Sequence, residues 1–177
     1  VLPETLVASR RRRLPARQES LRSRCGVNIV LDVAHTSASA ASLVEAVERG
    51  ALPSARPSSS SPPVALVGLA PDKDHSAVAS SLSELNLAHV LCVQELPPRG
   101  SSNASLVAAS GEARASGEAL ADAFRAAGCR AVETLGGDMA EQFEIALESA
   151  RSRKTWLLVV GSNKLAGEVR PRLRLRT

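Results

Sequence analysis

Short apolar runs alternate along the chain with segments in which apolar residues recur three or four positions apart. Apolar runs of this length fit strands that are buried on both faces, and they are residues 27–34, 64–69, 88–93, 129–133 and 155–160. The intervening spacing is typical of amphipathic helices. Because parallel neighbours need crossover connections, usually helical, the pattern predicts a doubly wound α/β domain with a mainly parallel sheet of five to six strands.

Helix boundaries are indicated by capping residues. Thr36 and Asp138 each precede a segment of helical periodicity, and both residue types can accept a hydrogen bond from the first free amides of a helix. Gly50 and Gly128 stand where two helices are expected to end. We also expect a short helix over residues 165–173.

The ends and one internal segment differ in composition from this repeating unit. Residues 1–26 carry prolines and an arginine run without sustained periodicity, which predicts a linker. Residues 52–63 are rich in Ser and Pro, which predicts a loop within a domain over 27–170. The remaining residues, 171–177, are predicted to form a basic tail.

Composition narrows the classes of function. The aromatic fraction is 2% with no Tyr, so the chain offers almost nothing on which single-stranded bases could stack. The net charge of +4 comes largely from arginines near the two ends, which fits solvated tails better than a nucleic-acid surface. No apolar stretch is long enough to span a bilayer. Three cysteines without CxxC spacing are expected to be reduced and buried.

Polar clusters follow several of the predicted strands. They are Asp32 to Thr36, Pro71 to Asp74, Pro97 to Ser101 and Gly161 to Lys164. The carboxyl ends of parallel strands share one edge, where ligands of such sheets bind. A carboxylate there can accept from ribose hydroxyls, whereas a hydroxyl at a helix N-terminus together with an arginine favours an anion. Capping and ordinary turn formation are the plainer explanations for each residue taken singly.

The sequence gives little support for a metal site or for a glycine-rich phosphate-binding loop. His75 and His89 have no companion at metal-ligand spacing, so we expect no metal site. A GxGxxG element after a strand and a GxxxxGK[ST] loop are both absent from the sequence. The chain is therefore not a self-contained P-loop enzyme.

The order of these motifs resembles a known family. Leu14-Pro15-Ala16-Arg17, then Asp32-Val33-Ala34-His35-Thr36 after the first strand, then Asp72-Lys73-Asp74, are similar to the carboxy-terminal domain of folylpolyglutamate synthase and dihydrofolate synthase, members of the Mur ligase superfamily. Pro98-Arg99-Gly100, Val159-Val160-Gly161-Ser162 and Gly167-Glu168-Val169 are similar to later motifs of that family. The most specific part is the DxAH element that ends at His35.

The resemblance implies a Rossmann-like domain of an ATP-dependent ligase that joins L-glutamate to a folate carboxylate through an acyl phosphate, as part of one-carbon metabolism. ATP and Mg²⁺ would be held mainly by a central ATPase domain of the same protein. By motif, Arg17 would contact ATP phosphate from the linker, and Asp32 would help to hold the nucleotide. His35 would help to position glutamate or the transferring group, and Ser162 would contact the glutamate carboxylate. A cytoplasmic location is expected, with mitochondria or plastids open.

Two departures from the family pattern leave alternatives open. Ala16 stands where the family has glycine, and Asn163-Lys164 replaces a position that often leads to a histidine or aromatic residue. A dihydrofolate synthase or a peptidoglycan Mur-type amino-acid ligase would share the fold and the acyl-phosphate chemistry. The alternative of another class is a non-catalytic binding or assembly subunit that contacts RNA through the basic ends.

Overall fold

The structure is a computed structural model that describes residues 15–55, 61–93 and 116–173. Its strands are β1 (Glu19–Arg22), β2 (Asn28–Asp32), β3 (Val64–Gly68), β4 (His89–Val93), β5 (Val132–Leu135) and β6 (Leu157–Gly161). Its helices are α1 (Ser37–Glu48), α2 (His75–Ser83), α3 (116–126), α4 (Met139–Ser152) and α5 (Asn163–Leu173), with a 3₁₀ turn at Pro53–Ala55.

The six strands form one sheet in the order β1-β2-β6-β3-β4-β5. Strand β1 is antiparallel to β2, and all other neighbours are parallel. This architecture confirms the predicted mainly parallel α/β fold of five to six strands. The last of the six described strands, β6, lies in the interior of the sheet and pairs with both β2 and β3.

Helices cover both faces of the sheet, which explains why β3, β4 and β6 are buried along their whole length. One core cluster packs α1, α2 and α3 on one face, and it includes the fully buried Phe124. The other packs α4 and α5 on the opposite face around Phe143. Within β2, Val30 belongs to the first cluster whereas Ile29 and Leu31 belong to the second. Alternate residues of one strand therefore serve two layers.

The predicted caps are confirmed. Thr36 accepts a hydrogen bond from the Ser39 amide and forms a capping box with it. Asp138 accepts from the amides of Ala140 and Glu141 at the start of α4. Each cap satisfies amides that have no partner within the helix.

Two boundaries predicted near the ends of the chain differ from the structure. Strand β1 lies within residues 1–26, which we expected to be a linker without regular structure. An edge strand is paired on one side only and can be polar, so the sequence of β1 gave no strand signal. In the structure, Leu21 of β1 pairs with Ile29 of β2. Helix α5 confirms the helix predicted over 165–173, but it takes three residues from the segment assigned to the tail and buries Leu173.

Two further local predictions need correction. The strand expected over 129–133 lies instead at Val132–Leu135. Of the three cysteines expected to be buried, Cys92 is buried, Cys129 is half-buried and Cys25 is exposed. Within the described ranges, no helix combines the length and the apolar character that a bilayer crossing needs.

Candidate functional site

The carboxyl ends of β2, β6 and β3 are neighbours at one edge of the sheet. The pairing places Asp32 beside Val160, and Gly68 beside Gly161. The loops that begin at residues 33, 69 and 162 therefore leave the sheet side by side. This brings together the loops that carry the predicted site residues His35 and Ser162.

Ser162 caps α5 at this edge. Its Oγ accepts a hydrogen bond from the Leu165 amide at 3.1 Å, and its carbonyl oxygen accepts from the Ala166 amide at 3.1 Å. A serine hydroxyl also has a hydrogen to donate, which capping does not use. The first amides of an 11-residue helix add a partial positive charge. The capping explanation is correct, and the same position has the chemistry to bind an anion.

The carboxylate of Asp32 is buried, with a relative exposure of 7%. Its Oδ2 accepts from the Gln18 amide at 2.7 Å, and its Oδ1 accepts from the Ala34 amide at 2.7 Å. Burial raises the pKa of Asp32, while these two amides and the charge of Arg17 act in the lowering direction. Asp32 therefore fixes two backbone segments, the turn at Gln18 and the exit of β2 at Ala34.

The turn that contains Arg17 is held against the end of β2. Ala16 and Gln18 have φ values of 58° and 49°, in the left-handed region that favours glycine. The Ala16 carbonyl accepts from the Val33 amide at 2.9 Å, which docks the turn on the strand exit. Arg17 itself is exposed. Ala16, where the family pattern has glycine, is thus left-handed in this chain although it carries a Cβ.

The imidazole of His35 is oriented by its own turn. Its Nδ1 lies 2.8 Å from the Val33 carbonyl oxygen, which can only accept, so Nδ1 carries the hydrogen. In the neutral ring, Nε2 then has a lone pair to offer. The His35 amide donates to Ser39 Oγ at 3.2 Å, which ties the residue to the cap of α1.

The exit of β3 contributes a turn and a cap. Asp74 caps α2 by accepting from the Ala77 amide at 2.9 Å, and His75 Nε2 lies 3.1 Å from the Ala70 carbonyl oxygen. The hydrogen bond from Lys73 lowers the pKa of Asp72. The structural explanation for the Asp72-Lys73-Asp74 element therefore holds for Asp74.

Other motif residues lie either outside the described residues or at the start of α5. Pro98, Arg99 and Gly100 lie outside the described residues. Asn163 and Lys164 form the first turn of α5, where Asn163 is exposed. Over the described parts of the chain, no group of three or more His, Cys, Asp or Glu side chains is arranged to hold a metal ion.

Two residues near the site had no signal in the sequence. Arg170 Nε lies 3.1 Å from Glu19 Oε2, which joins the last turn of α5 to β1. Glu19 Oε2 also accepts from the Ala16 amide at 2.9 Å. Because the pair is 151 positions apart, only the tertiary structure brings it together.

Comparisons with known proteins agree with this architecture. The sequence profile of the family described as Mur ligase, glutamate ligase domain matches residues 16–163. A comparison with curated protein sequences found no significant match.

Among solved structures, the bifunctional folylpolyglutamate synthase/dihydrofolate synthase from Yersinia pestis, complexed with AMPPNP and Mn ion, is 22% identical with a TM-score of 0.60. The alignment covers 92% of this chain and 32% of that one. Folylpolyglutamate synthase from Thermotoga maritima is 22% identical with a TM-score of 0.58, covering 90% and 30%. A bifunctional synthase with Mn, AMPPNP and L-glutamate bound has a TM-score of 0.58 at 22% identity, covering 92% and 32%. These likenesses show a shared fold, and this chain spans about a third of each of those proteins.

Proposed function

Because the chain belongs to the Mur ligase, glutamate ligase domain family, we propose that it is the carboxy-terminal domain of an ATP-dependent folylpolyglutamate synthase. The reaction would add L-glutamate to tetrahydrofolate and give ADP and phosphate. The observation that carries this proposal is the placement of Arg17, Asp32, His35 and Ser162 around the ends of two neighbouring strands, β2 and β6.

The chemistry explains why these residue types would be needed. A folate carboxylate becomes an electrophile once ATP phosphorylates it, and the amine of glutamate can then displace phosphate. Arg17 is exposed and permanently charged, and its planar guanidinium suits a phosphate oxygen pair. Asp32 supports that contact by holding the neighbouring Gln18 amide.

Glutamate would bind between Ser162 and His35. The Ser162 hydroxyl and the N-terminus of α5 would receive a glutamate carboxylate. The glutamate ammonium must lose a proton before it attacks, and the Nε2 lone pair of His35 is a suitable acceptor. Closure onto a central ATPase domain would keep water from the acyl phosphate.

Magnesium chelated to ATP would be held by that central domain of the same protein. Asp32, the buried carboxylate at this edge, is already engaged by two amides. Within the part of the chain that is described, no carboxylate cluster offers a competing cation site. Mg²⁺ would supply charge neutralisation at the phosphates.

The test is glutamate ligation to tetrahydrofolate by the full-length protein, with Arg17→Ala and His35→Ala as variants. His75→Ala is the matched control, because His75 bonds the Ala70 carbonyl oxygen beside α2 and has no assigned part in the site. We expect a loss of about 100-fold or more in kcat/KM for the two variants and little change in the control.

Three outcomes would contradict this proposal. Ligation to dihydropteroate alone would indicate a dihydrofolate synthase, and ligation only to a muramoyl peptide would indicate a peptidoglycan ligase. A folded full-length protein without ligase activity, and with RNA binding that falls steeply with salt, would indicate the non-catalytic alternative.

A further inference from the structure

The ion pair between Glu19 and Arg170 has the geometry of a two-point contact. Arg170 Nε lies 3.1 Å from Glu19 Oε2, and Nη2 lies 3.3 Å from Oε1. Paired contacts of this kind set the orientation as well as the distance of both groups. The side chains of Arg170 and Glu19 are 32% and 22% exposed, so solvent screens the pair only in part.

Glu19 extends this contact to the Arg17 turn. The oxygen that faces Arg170 Nε, Oε2, also accepts from the Ala16 amide at 2.9 Å. On the other side of Arg17, the Gln18 amide donates to Asp32 at 2.7 Å. Two carboxylates thus hold the amides on either side of Arg17.

The backbone of this turn needs such support. Ala16 and Gln18 both adopt left-handed φ values, which non-glycine residues keep only when their surroundings hold them there. Asp32 is fixed on β2, but Glu19 is a partly exposed side chain on an edge strand. Arg170 is the group that fixes the Glu19 carboxylate.

We propose that Glu19 and Arg170 are positioning residues, which present the Arg17 guanidinium to an anionic phosphate at the carboxyl edge of the sheet. The inference rests on the proposed function, since it assumes that Arg17 contacts ATP. Without Arg170, the Glu19 carboxylate loses its ion-pair partner, so it holds the Ala16 amide less firmly and Arg17 samples many orientations. When the Arg17 guanidinium is no longer oriented, it binds the ATP phosphate more weakly. Glutamate binding by Ser162 is unaffected.

The experiment compares Arg170→Ala, Arg170→Lys and Arg17→Ala in the full-length protein. Arg172→Ala is the matched control: it lies in the same last turn of α5, but it pairs with Glu168 within the helix. Steady-state ligation gives KM for ATP, KM for glutamate and kcat. Hydrogen exchange in the same preparations reports on the Ala16 and Gln18 amides.

We expect Arg17→Ala and Arg170→Ala each to raise KM for ATP by about tenfold, with KM for glutamate unchanged. Arg170→Lys recovers part of the loss, because an ammonium makes one of the two contacts. Exchange at the Ala16 amide is faster in Arg170→Ala and unchanged in Arg172→Ala.

Two results separate this inference from the proposed function. A higher KM for ATP in Arg17→Ala with an unchanged value in Arg170→Ala overturns the positioning role and leaves the ligase proposal standing. An unchanged KM for ATP in Arg17→Ala overturns the phosphate contact itself, and the positioning role with it.

Discussion

The Ser162 amide donates a hydrogen bond to the Gly68 carbonyl oxygen at 2.8 Å, across the ends of β6 and β3. Gly161, directly before Ser162, has φ of 131°. A Cβ at Gly161 would lie 2.0 Å from that same Gly68 oxygen. The close approach of these two strand ends therefore depends on the absence of a side chain, and it sets where α5 begins.

Gly161→Ala should be strongly destabilising. Both the φ value and the backbone contact are incompatible with a Cβ, so we expect the free energy of unfolding to fall by about 3 kcal/mol. Gly167→Ala is the control, because it lies within α5 and a Cβ added there would have no neighbouring atom within 4 Å. It should gain about 0.5–1 kcal/mol. Urea unfolding measures both, and equal effects would contradict the close-approach argument.

Ser162 variants should separate capping from anion binding. Ser162→Ala removes the acceptor for the Leu165 amide and should cost about 1 kcal/mol of stability, with a higher KM for glutamate. Ser162→Asp keeps a good cap, so stability should be retained, but its negative charge repels a carboxylate. Thermal unfolding measures the stability of each variant, and ligation kinetics give its KM for glutamate. A normal KM for glutamate in Ser162→Asp would rule out the carboxylate contact.

The buried side chain of His89 makes two polar contacts at the start of β4. Its Nδ1 lies 2.8 Å from Ser149 Oγ, and its Nε2 lies 3.2 Å from Glu133 Oε1. Burial lowers the pKa of His89, with Glu133 opposing and Arg153 adding to the shift. The attraction to Glu133 is the weaker effect because that carboxylate is 62% exposed to solvent.

The lowered pKa makes stability depend on pH. As pH falls through the usual histidine value of 6.5, the unfolded chain takes up a proton before the folded one does. The contribution of His89 is therefore fully present above 6.5 and is lost as pH falls below it, by at most about 1.4 kcal/mol per pH unit. His89→Gln should remove this slope in urea unfolding series. A slope that is the same in wild type and variant would show that other groups cause it.

The cysteines should differ sharply in reactivity. Cys92 is fully buried, which raises the pKa of its thiol to about 12, whereas Cys25 is exposed. A thiol reagent should modify Cys25 first and reach Cys92 only on unfolding, since the thiolate is the reactive form. Cys25→Ser should abolish the fast phase. Rapid labelling of Cys92 in the native protein would contradict its place in the core.

Local patterns predicted the elements well where one element's own residues decide the outcome. Thr36 and Asp138 were expected to cap helices and do so, because a cap needs only a side chain and the next few amides. Strand β1 was missed because its sequence is polar and its position is decided by pairing with β2. Cys25 was expected to be buried because it lies beside an apolar run, yet it is exposed at the surface.

The site was predictable in outline and not in detail. The position of Asp32 and His35 after an apolar run placed them at the carboxyl edge. Arg17 was expected in a mobile linker, but the structure docks its turn on β2 through Ala16 and Gln18. No local pattern could show this, because the left-handed backbone is held partly through Arg170, which comes near the end of the described chain.

The place of β6 in the sheet governs how the domain forms during synthesis. Strand β6 lies between β2 and β3, although it follows the other five described strands in the sequence. Until Leu157–Gly161 has left the ribosome, β2 has no parallel partner and the two halves of the sheet cannot join. The exposed edges of β2 and β3 remain open to incorrect pairing until β6 is available. Completion of this sheet, and of the edge that carries Arg17 and Ser162, therefore waits until β6 has been synthesised, after the other five described strands.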